Sequence, residues 1–198
     1  AEWIQRPGRR LEVLQNWLGA PADAPSTIVV GETTLAGRKV FVYAGNMGVA
    51  QGMGILLDLA ERLRGRGDVG FLFVGRGSDA QRLRDDARAR GLDNVVFRDE
   101  IHPDEIPNLY AQCHIGLVAL DPRHRTHNIP GKFLTYMQSG LPVLASVNAG
   151  NDLVGLIEQE RVGRAVTDAS AASLARAAVE LVDAVSADDG FAERCKGL

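Results

Sequence analysis

The chain has 198 residues and a formal net charge of −3; 45% of the residues are hydrophobic and 24% are charged. This composition is ordinary for a soluble globular protein and suits one domain, or one domain with an extra segment. The charge excludes a globally basic surface for nucleic acid, so any anion binding must come from local clusters. No apolar run approaches the roughly 18 residues of a membrane span. The two cysteines, Cys113 and Cys195, lack metal-like spacing, which favours reduced thiols in a cytosolic protein.

The sequence divides into three segments. Residues 1–38 are mixed in character and contain the stretch GAPADAP, so we expect an inter-domain linker that leads into the domain. Residues 39–185 show a regular rhythm of apolar runs and amphipathic stretches, and we expect them to form the domain itself. Residues 186–198 are predicted to begin a truncated C-terminal helix. Since the chain also lacks an initiator Met, the sequence indicates a fragment of a larger enzyme.

Strands and helices alternate along the central segment. Short apolar runs predict strands, which are KVFVYAG from Lys39, GFLFVG from Gly70, NVVFRDE from Asn94, HIGLVAL from His114, LPVLAS from Leu141 and VGRAVT from Val162. Apolar residues at helical spacing predict helices near Met53, Ala80, Pro103, Lys132 and Asn151, and a long last helix capped near Asp168 or Ser170. Strands that are apolar from end to end are typical of a parallel sheet covered on both faces. The prediction is a doubly wound, Rossmann-like α/β domain, with ligands at the carboxyl ends of its strands.

The first of these strand ends carries the glycine-rich turn YAGNMGVAQGMG. Gly45 and Gly48 let the backbone come close to a ligand, and a helix start follows, so we expect contact with a phosphate there. A tight turn without a ligand is the alternative. The turn is neither a P-loop nor a G-x-G-x-x-G motif, and no acidic residue closes the second strand, which disfavours NAD.

The next loops give weaker signals. In GRGSD, after the second strand, Arg76 could reach a phosphate, or it could be a surface arginine in a turn. In RDEIHPDE, after the third strand, backbone groups near Glu100 and Ile101 could meet the edge of a base. After the fifth strand, amides at the next helix start could hold a sugar or phosphate oxygen, or Asn151 could do no more than cap that helix.

The loop after the fourth strand is the most informative. It gathers cationic side chains, which are Arg123, His124, Arg125 and His127, and Lys132 then opens a helix. A lysine in the first helical turn opposes the helix dipole at a cost of about 0.3–1 kcal/mol, and a bound anion would remove that conflict. We therefore favour a functional role for Lys132 and His127. The two arginines fit a solvated loop as well as a site.

Four stretches together resemble the C-terminal, donor-binding domain of GT-B glycosyltransferases of family 4. They are AGN at 44–46, FVGRG at 73–77, GLDNVVF at 91–97 and GKFLTYMQSGLPVLAS at 131–146. The resemblance covers residues 13–185. THNIPGKFLTYMQSGLPVL with NAGNDL looks most similar to the bacterial N-acetyl-L-fucosamine transferases of surface-polysaccharide synthesis.

The chain departs from the usual pattern of that family at four positions. Two glutamates that normally contact the donor sugar and the ribose correspond to His127 and Thr135. The arginine and lysine that normally hold the diphosphate correspond to Asn46 and Gln51. Lys132 could compensate for the lost charge. The fucosamine transferases that the chain resembles share most of these departures, which favours an active variant.

The resemblance implies a retaining glycosyltransferase. The enzyme would transfer a sugar, an N-acetylated 6-deoxyhexosamine, from a UDP-sugar to a lipid-linked glycan in lipopolysaccharide or O-antigen synthesis. It would need no metal and no cofactor, bind no nucleic acid, and work in the cytoplasm at the inner membrane, with which the full enzyme could associate peripherally. The acceptor would be held by a missing N-terminal domain, so we expect this domain to be inactive alone.

The resemblance also assigns roles to individual residues. Lys132 and His127 would be catalytic. The donor would be bound by Gly45, Asn46, Gly48, Gln51 and Arg76 at its phosphates, Asn128 at its sugar, Thr135 at its ribose, and Glu100 with Ile101 at its base. Three alternatives stay open: an epimerase-type GT-B half-domain, a receiver-like signalling domain and a non-catalytic nucleotide-sugar-binding module.

Overall fold

A six-stranded sheet forms the centre of the computed structural model, which describes residues 19, 24–123 and 129–198. Its strands are β1 (Lys39–Ala44), β2 (Val69–Val74), β3 (Val95–Arg98), β4 (Ile115–Ala119), β5 (Val143–Ser146) and β6 (Gly163–Val166). Every neighbouring pair is parallel, and the strand order is β3-β2-β1-β4-β5-β6. The chain therefore changes direction across the sheet between β1 and β4, where doubly wound domains bind ligands.

Helices connect the strands and cover both faces of the sheet. They are α1 (Gly54–Arg62), α2 (Ala80–Ala89), α3 (Ile106–Tyr110), α4 (Gly131–Gln138), α5 (Asp152–Glu160), α6 (Ala171–Ala187) and α7 (Phe191–Lys196). Short 3₁₀ turns occur at Val30–Glu32, Val49–Gln51 and Pro103–Glu105. The predicted doubly wound, Rossmann-like fold is confirmed. The predicted caps are confirmed as well, because Asn151 accepts from the Leu153 amide at 3.0 Å and Ser170 from the Ser173 amide at 3.3 Å.

The four inner strands, β2, β1, β4 and β5, are buried on both faces, which explains why they are largely apolar, whereas the edge strands β3 and β6 each expose one arginine. In β1, Phe41 and Tyr43 pack into the layer formed with α1, α2 and α6. Val40 and Val42, on the other face, pack into the layer formed with α3, α4 and α5. Successive side chains of a strand point to opposite faces, so a strand with two buried faces must be apolar at every position.

The segments that flank the central domain also contribute to its core. Ile28, Val30 and Leu35, which precede β1, are buried in the layer with α3 and α4. After α6 ends at Ala187, the separate helix α7 packs against α4 and buries Phe191 and Cys195. Where the domain boundaries fall stays a prediction.

Candidate functional site

A cavity of about 650 Å³ opens at the carboxyl ends of the strands, beside the change of direction at β1. The loops after β1, β2 and β3 form its floor and rim, and α3 and α4 close its sides. Its lining consists of Ala44, Gly45, Asn46, Val74, Gly75, Arg76, Glu100, Ile101, Pro103, Ile106, Tyr110, Lys132 and Thr135. The cavity therefore lies where the fold predicts a ligand.

Glycines let two loops of this floor lie against each other. Gly45 and Gly75 have φ angles of 138° and 141°, which side chains rarely tolerate. A Cβ on Gly75 would overlap the carbonyl oxygen of Gly45, and one on Gly77 would overlap the carbonyl of Met47. The floor is thus bare backbone, which a phosphate can approach closely.

The glycine-rich turn is held in place by its own hydrogen bonds. The buried Tyr43 donates its Oη hydrogen to the Asn46 carbonyl at 2.6 Å. The Gln51 side-chain oxygen accepts from the Gly48 amide at 2.9 Å and from the Asn46 side-chain nitrogen at 3.3 Å. The Met47 amide donates to the Arg76 carbonyl at 2.7 Å, which joins this turn to the loop after β2. Contacts within the protein therefore hold the turn in this shape.

Lys132 brings an amine to the cavity from the first turn of α4. Its Nζ lies 3.3 Å from the centroid of the Tyr43 ring, and a Cβ placed on Gly45 would lie 3.7 Å from that Nζ. Burial lowers the pKa of Lys132 from its ordinary 10.5 to about 7. The negative face of the tyrosine ring favours the protonated amine, by about 0.5–2 kcal/mol, and so opposes part of this effect. Lys132 has no carboxylate partner among the described residues, so its charge is available to an anion.

Arg76 differs from Lys132 because its charge is already paired. Its Nε lies 2.8 Å from Glu100 Oε2, and the two side chains are 81% and 53% exposed. An ion pair this exposed contributes only about 0–1 kcal/mol, so a ligand could separate it at little cost. Arg76 and Glu100 therefore form a rim between the loops after β2 and β3.

The structure brings most of the predicted site residues together. Of those it describes, the residues that line the cavity are Gly45, Asn46, Arg76, Glu100, Ile101, Lys132 and Thr135. Gly48 and Gln51 do not line it; the hydrogen bond between them supports the glycine-rich turn. His127 and Asn128 lie outside the described residues. The roles assigned to all of these residues stay predictions.

Sequence reasoning missed the aromatic side chains of the site. Tyr110 lines the cavity, and Tyr43 lies beneath the Lys132 amine. Both are almost fully buried, and in the sequence both match the apolar spacing of core residues. Burial raises the pKa of both phenols, so they remain protonated at neutral pH. The sequence did contain one signal for Tyr43, because this tyrosine stands in the strand that leads directly into the glycine-rich turn.

The loop after β4 begins with Asp121, whose carboxylate forms an ion pair with Arg123. Asp121 accepts hydrogen bonds from the Arg123 amide at 2.9 Å and from its guanidinium at 2.6 and 2.9 Å. The Arg123 side chain is 80% exposed and does not line the cavity. These contacts favour the solvated-loop explanation for Arg123. The Asp121 amide also donates to the Ala50 carbonyl at 3.0 Å, which ties this loop to the glycine-rich turn.

Two histidines outside that loop make hydrogen bonds within the fold. The His114 Nδ1 accepts a hydrogen bond from the Val40 amide at 3.1 Å, and His102 caps the turn at Pro103–Glu105. Within the described part of the chain, no three His, Cys, Asp or Glu residues are grouped as they would be to hold a metal ion. No described helix is long and apolar enough to cross a membrane.

The strand order and the bare glycine floor define a Rossmann-like domain with a ligand cavity at its point of strand reversal. Residues 38–184 match the family model for glycosyl transferases group 1, so the chain belongs to that family. Membership of the GT-B type of glycosyltransferase, which the sequence resemblance predicted, is thereby confirmed. The narrower resemblance to N-acetyl-L-fucosamine transferases stays a prediction.

Comparison with individual proteins agrees with this assignment. The chain is 35% identical over 121 residues to the putative colanic acid biosynthesis glycosyl transferase WcaI of Escherichia coli K12, a match that covers 61% of this chain and 30% of WcaI. The crystal structure of a Staphylococcus aureus TarM mutant with UDP superimposes with a TM-score of 0.69 at 15% identity, over 98% of this chain and 36% of that one.

Anabaena HepE in complex with UDP-glucose has the same fold. It superimposes with a TM-score of 0.67 at 19% identity, over 82% of this chain and 44% of HepE. At such identities the two structures show the fold alone. The chain spans less than half the length of the relatives named here.

Proposed function

We propose that this domain binds the UDP-sugar donor of a retaining glycosyltransferase. The observation that carries the proposal is the Lys132 amine, which lies over the Tyr43 ring, beside the bare backbone of Gly45, with no carboxylate partner in the described part of the chain. Anabaena HepE, whose structure contains UDP-glucose, shares the fold and thereby supports a nucleotide-sugar ligand.

The diphosphate would lie between the glycine turn and α4. Backbone groups of Gly45 and Asn46 would contact its oxygens, and Lys132 would supply the charge. When the bond to the sugar breaks, negative charge grows on the leaving diphosphate, and a cation held in a partly dry cavity stabilises that charge strongly. Lys132 would in this way supply the positive charge that a metal ion supplies in other enzymes. We therefore propose a reaction without metal or cofactor.

The nucleoside and the sugar would extend to opposite sides of the diphosphate. Glu100, Ile101 and the buried Tyr110 offer a pocket for the base at the end of β3, and Thr135 on α4 would contact the ribose. His127 and Asn128 would contact the sugar. We propose an N-acetylated 6-deoxyhexosamine as that sugar and a lipid-linked glycan as its acceptor, in lipopolysaccharide or O-antigen synthesis at the cytoplasmic face of the inner membrane. The putative role of WcaI in colanic acid synthesis supports a polysaccharide product.

Calorimetry with UDP-N-acetylglucosamine tests the donor site. Lys132→Met should weaken binding about tenfold or more, because it removes a charge-assisted contact while it keeps the length of the side chain. Lys196→Met, which removes an exposed lysine of α7, is the matched control and should bind like the wild type. Equal affinity in wild type and Lys132→Met would remove Lys132 from the site.

The pH dependence gives a second test of the same contact. The pKa of Lys132 in the free protein is about 7, and a bound diphosphate would raise it. Affinity should therefore be highest below pH 7 and fall as the pH rises above 7, where a proton must be taken up on binding. A UDP-sugar has no terminal phosphate that titrates in this range, so Lys132→Met should lose this dependence.

A non-catalytic nucleotide-sugar-binding module is the second candidate. It is favoured by Thr135, a cavity residue that corresponds to a glutamate in the usual family pattern. An epimerase-type half-domain would use the same donor. Assays of the chain joined to an acceptor-binding domain would separate the three functions. A transferase would transfer the sugar, an epimerase would isomerise the donor, and a binding module would bind the donor without turnover.

A further inference from the structure

A second cavity lies at the opposite end of the parallel strands. It has a volume of about 340 Å³ and opens at the amino ends of β1 and β4, away from the donor cavity at their carboxyl ends. Its ionisable lining side chains are Arg38, Lys39 and His114. The remainder of its lining is Val30, Gly31, Leu35, Ala36, Gly37 and Gln112.

The side-chain hydrogen-bonding groups that remain free in this second cavity are donors. Gln112 is fully used, since its oxygen accepts from the Val30 amide at 2.9 Å and its nitrogen donates to the Ile28 and Asn108 carbonyls at 3.0 Å. The His114 Nδ1 accepts from Val40, so the neutral ring carries its proton on Nε2.

The two remaining polar side chains, Arg38 and Lys39, can only donate. Arg38 makes one long contact of 3.4 Å to the Val69 carbonyl, which leaves most of its N–H groups unused. The cavity therefore fits a ligand that is rich in acceptors.

The charge of this cavity has the same sign throughout. The described residues that line it include no Asp or Glu. Asp68, which immediately precedes β2 at this edge, is engaged with Arg66 at 2.7–2.8 Å. Burial, and to a smaller extent the nearby Lys39 charge, lowers the pKa of His114.

We propose that this cavity binds a phosphate group through Arg38, Lys39 and His114. A phosphate presents acceptor oxygens and negative charge to a cavity that offers donors and positive charge. Gly31 and Gly37 border open space, because a Cβ on either would have no atom within 4 Å. The group could belong to a free phosphate compound or to the headgroup of an anionic lipid. The inference does not depend on the proposed donor function, because the two cavities share no lining residue.

Residue-resolved NMR of the whole chain with inorganic phosphate, at constant ionic strength, tests the proposal. Amides of Gly31, Gly37 and His114 should shift saturably, and Lys39→Gln should weaken this binding about tenfold. Arg62→Gln, which removes one positive charge from α1, is the matched control and should bind like the wild type. Shifts confined to Gly45 would report the donor cavity and would count against the proposal.

Vesicles separate the two sources of the phosphate. Co-sedimentation with phosphatidylcholine vesicles that contain phosphatidylglycerol, lost in Lys39→Gln and absent without phosphatidylglycerol, would identify a lipid headgroup. Saturable phosphate shifts without vesicle binding would identify a free phosphate compound. The proposal is overturned if neither occurs, or if Lys39→Gln and Arg62→Gln weaken binding equally.

Discussion

At the residue scale, Lys132 makes the folded state sensitive to pH. The pKa of its amine is about 7 in the folded chain and near 10.4 in an unfolded one. Between these values the unfolded chain holds a proton that the folded chain lacks, so stability rises with pH across this window. Below pH 7 the amine is charged in both states, and the full cost of burying it is present. A lysine that weakens the fold suggests a binding role.

Removing that amine should therefore stabilise the protein. We expect Lys132→Met to raise the free energy of unfolding by about 1–2 kcal/mol at pH 6 and to flatten the rise in stability between pH 7 and 10. Urea denaturation at several pH values measures both effects, with Lys196→Met as the control. A variant that is less stable than the wild type at pH 6 would contradict the account.

Tyr43 links the Lys132 amine to the glycine turn, and its two contacts can be separated. Tyr43→Phe keeps the ring under the amine but removes the hydrogen bond to Asn46, which should cost about 0.5–1.5 kcal/mol of stability. The Lys132 side-chain protons should keep their ring-current shift in Tyr43→Phe and lose it in Tyr43→Leu, as measured by NMR. Identical spectra for the two variants would mean that the amine does not lie over the ring.

At the scale of elements, the contact between the loops after β1 and β2 leaves no room for a side chain. Gly75→Ala should destabilise the fold by at least about 2 kcal/mol, because its Cβ would overlap the Gly45 carbonyl and its φ is positive. The control is Gly155→Ala within α5, where a Cβ has no atom within 4 Å. That variant should gain up to about 1 kcal/mol, since alanine favours helix. Similar melting temperatures for both variants would contradict this reasoning.

The elements themselves could be predicted, because the physics that forms them is local. The four inner strands are apolar runs with two buried faces, and α5 and α6 begin at side chains that cap them. Less local features escaped prediction. The third helix divides into the 3₁₀ turn at Pro103–Glu105 and α3, and α7 follows α6 as a helix of its own.

The candidate site could be predicted only in part. Loops at strand ends identify Gly45 and Lys132 as neighbours, because parallel strands end at one edge of the sheet. The part that Gln51 plays in holding the turn depends on which hydrogen bonds its side chain makes. The pairing of Arg76 with Glu100 and the approach of Lys132 to Tyr43 depend on side-chain rotamers, for which the sequence has no periodic signal.

At the scale of the whole molecule, the chain corresponds to a minority of each longer relative, with 30% of WcaI and 44% of HepE covered. We expect the isolated chain to bind a UDP-sugar weakly and to transfer no sugar, because the acceptor would be bound by the rest of the protein. Turnover assays of the chain alone and of the chain joined to an N-terminal acceptor-binding domain, with the same donor and acceptor, measure the difference. Full turnover by the chain alone would contradict the expectation.

The amine of Lys132 also has a consequence for the chemical reactivity of the molecule. The chain contains three lysines, Lys39, Lys132 and Lys196. An ordinary lysine is almost entirely protonated at neutral pH and is then a poor nucleophile. Lys132 is unprotonated far more often than the other two lysines, because burial lowers its pKa to about 7. Among the lysines, acylating reagents should therefore mark this position first, and a diphosphate bound in the cavity would shield it, which makes the extent of labelling at Lys132 a direct measure of occupancy.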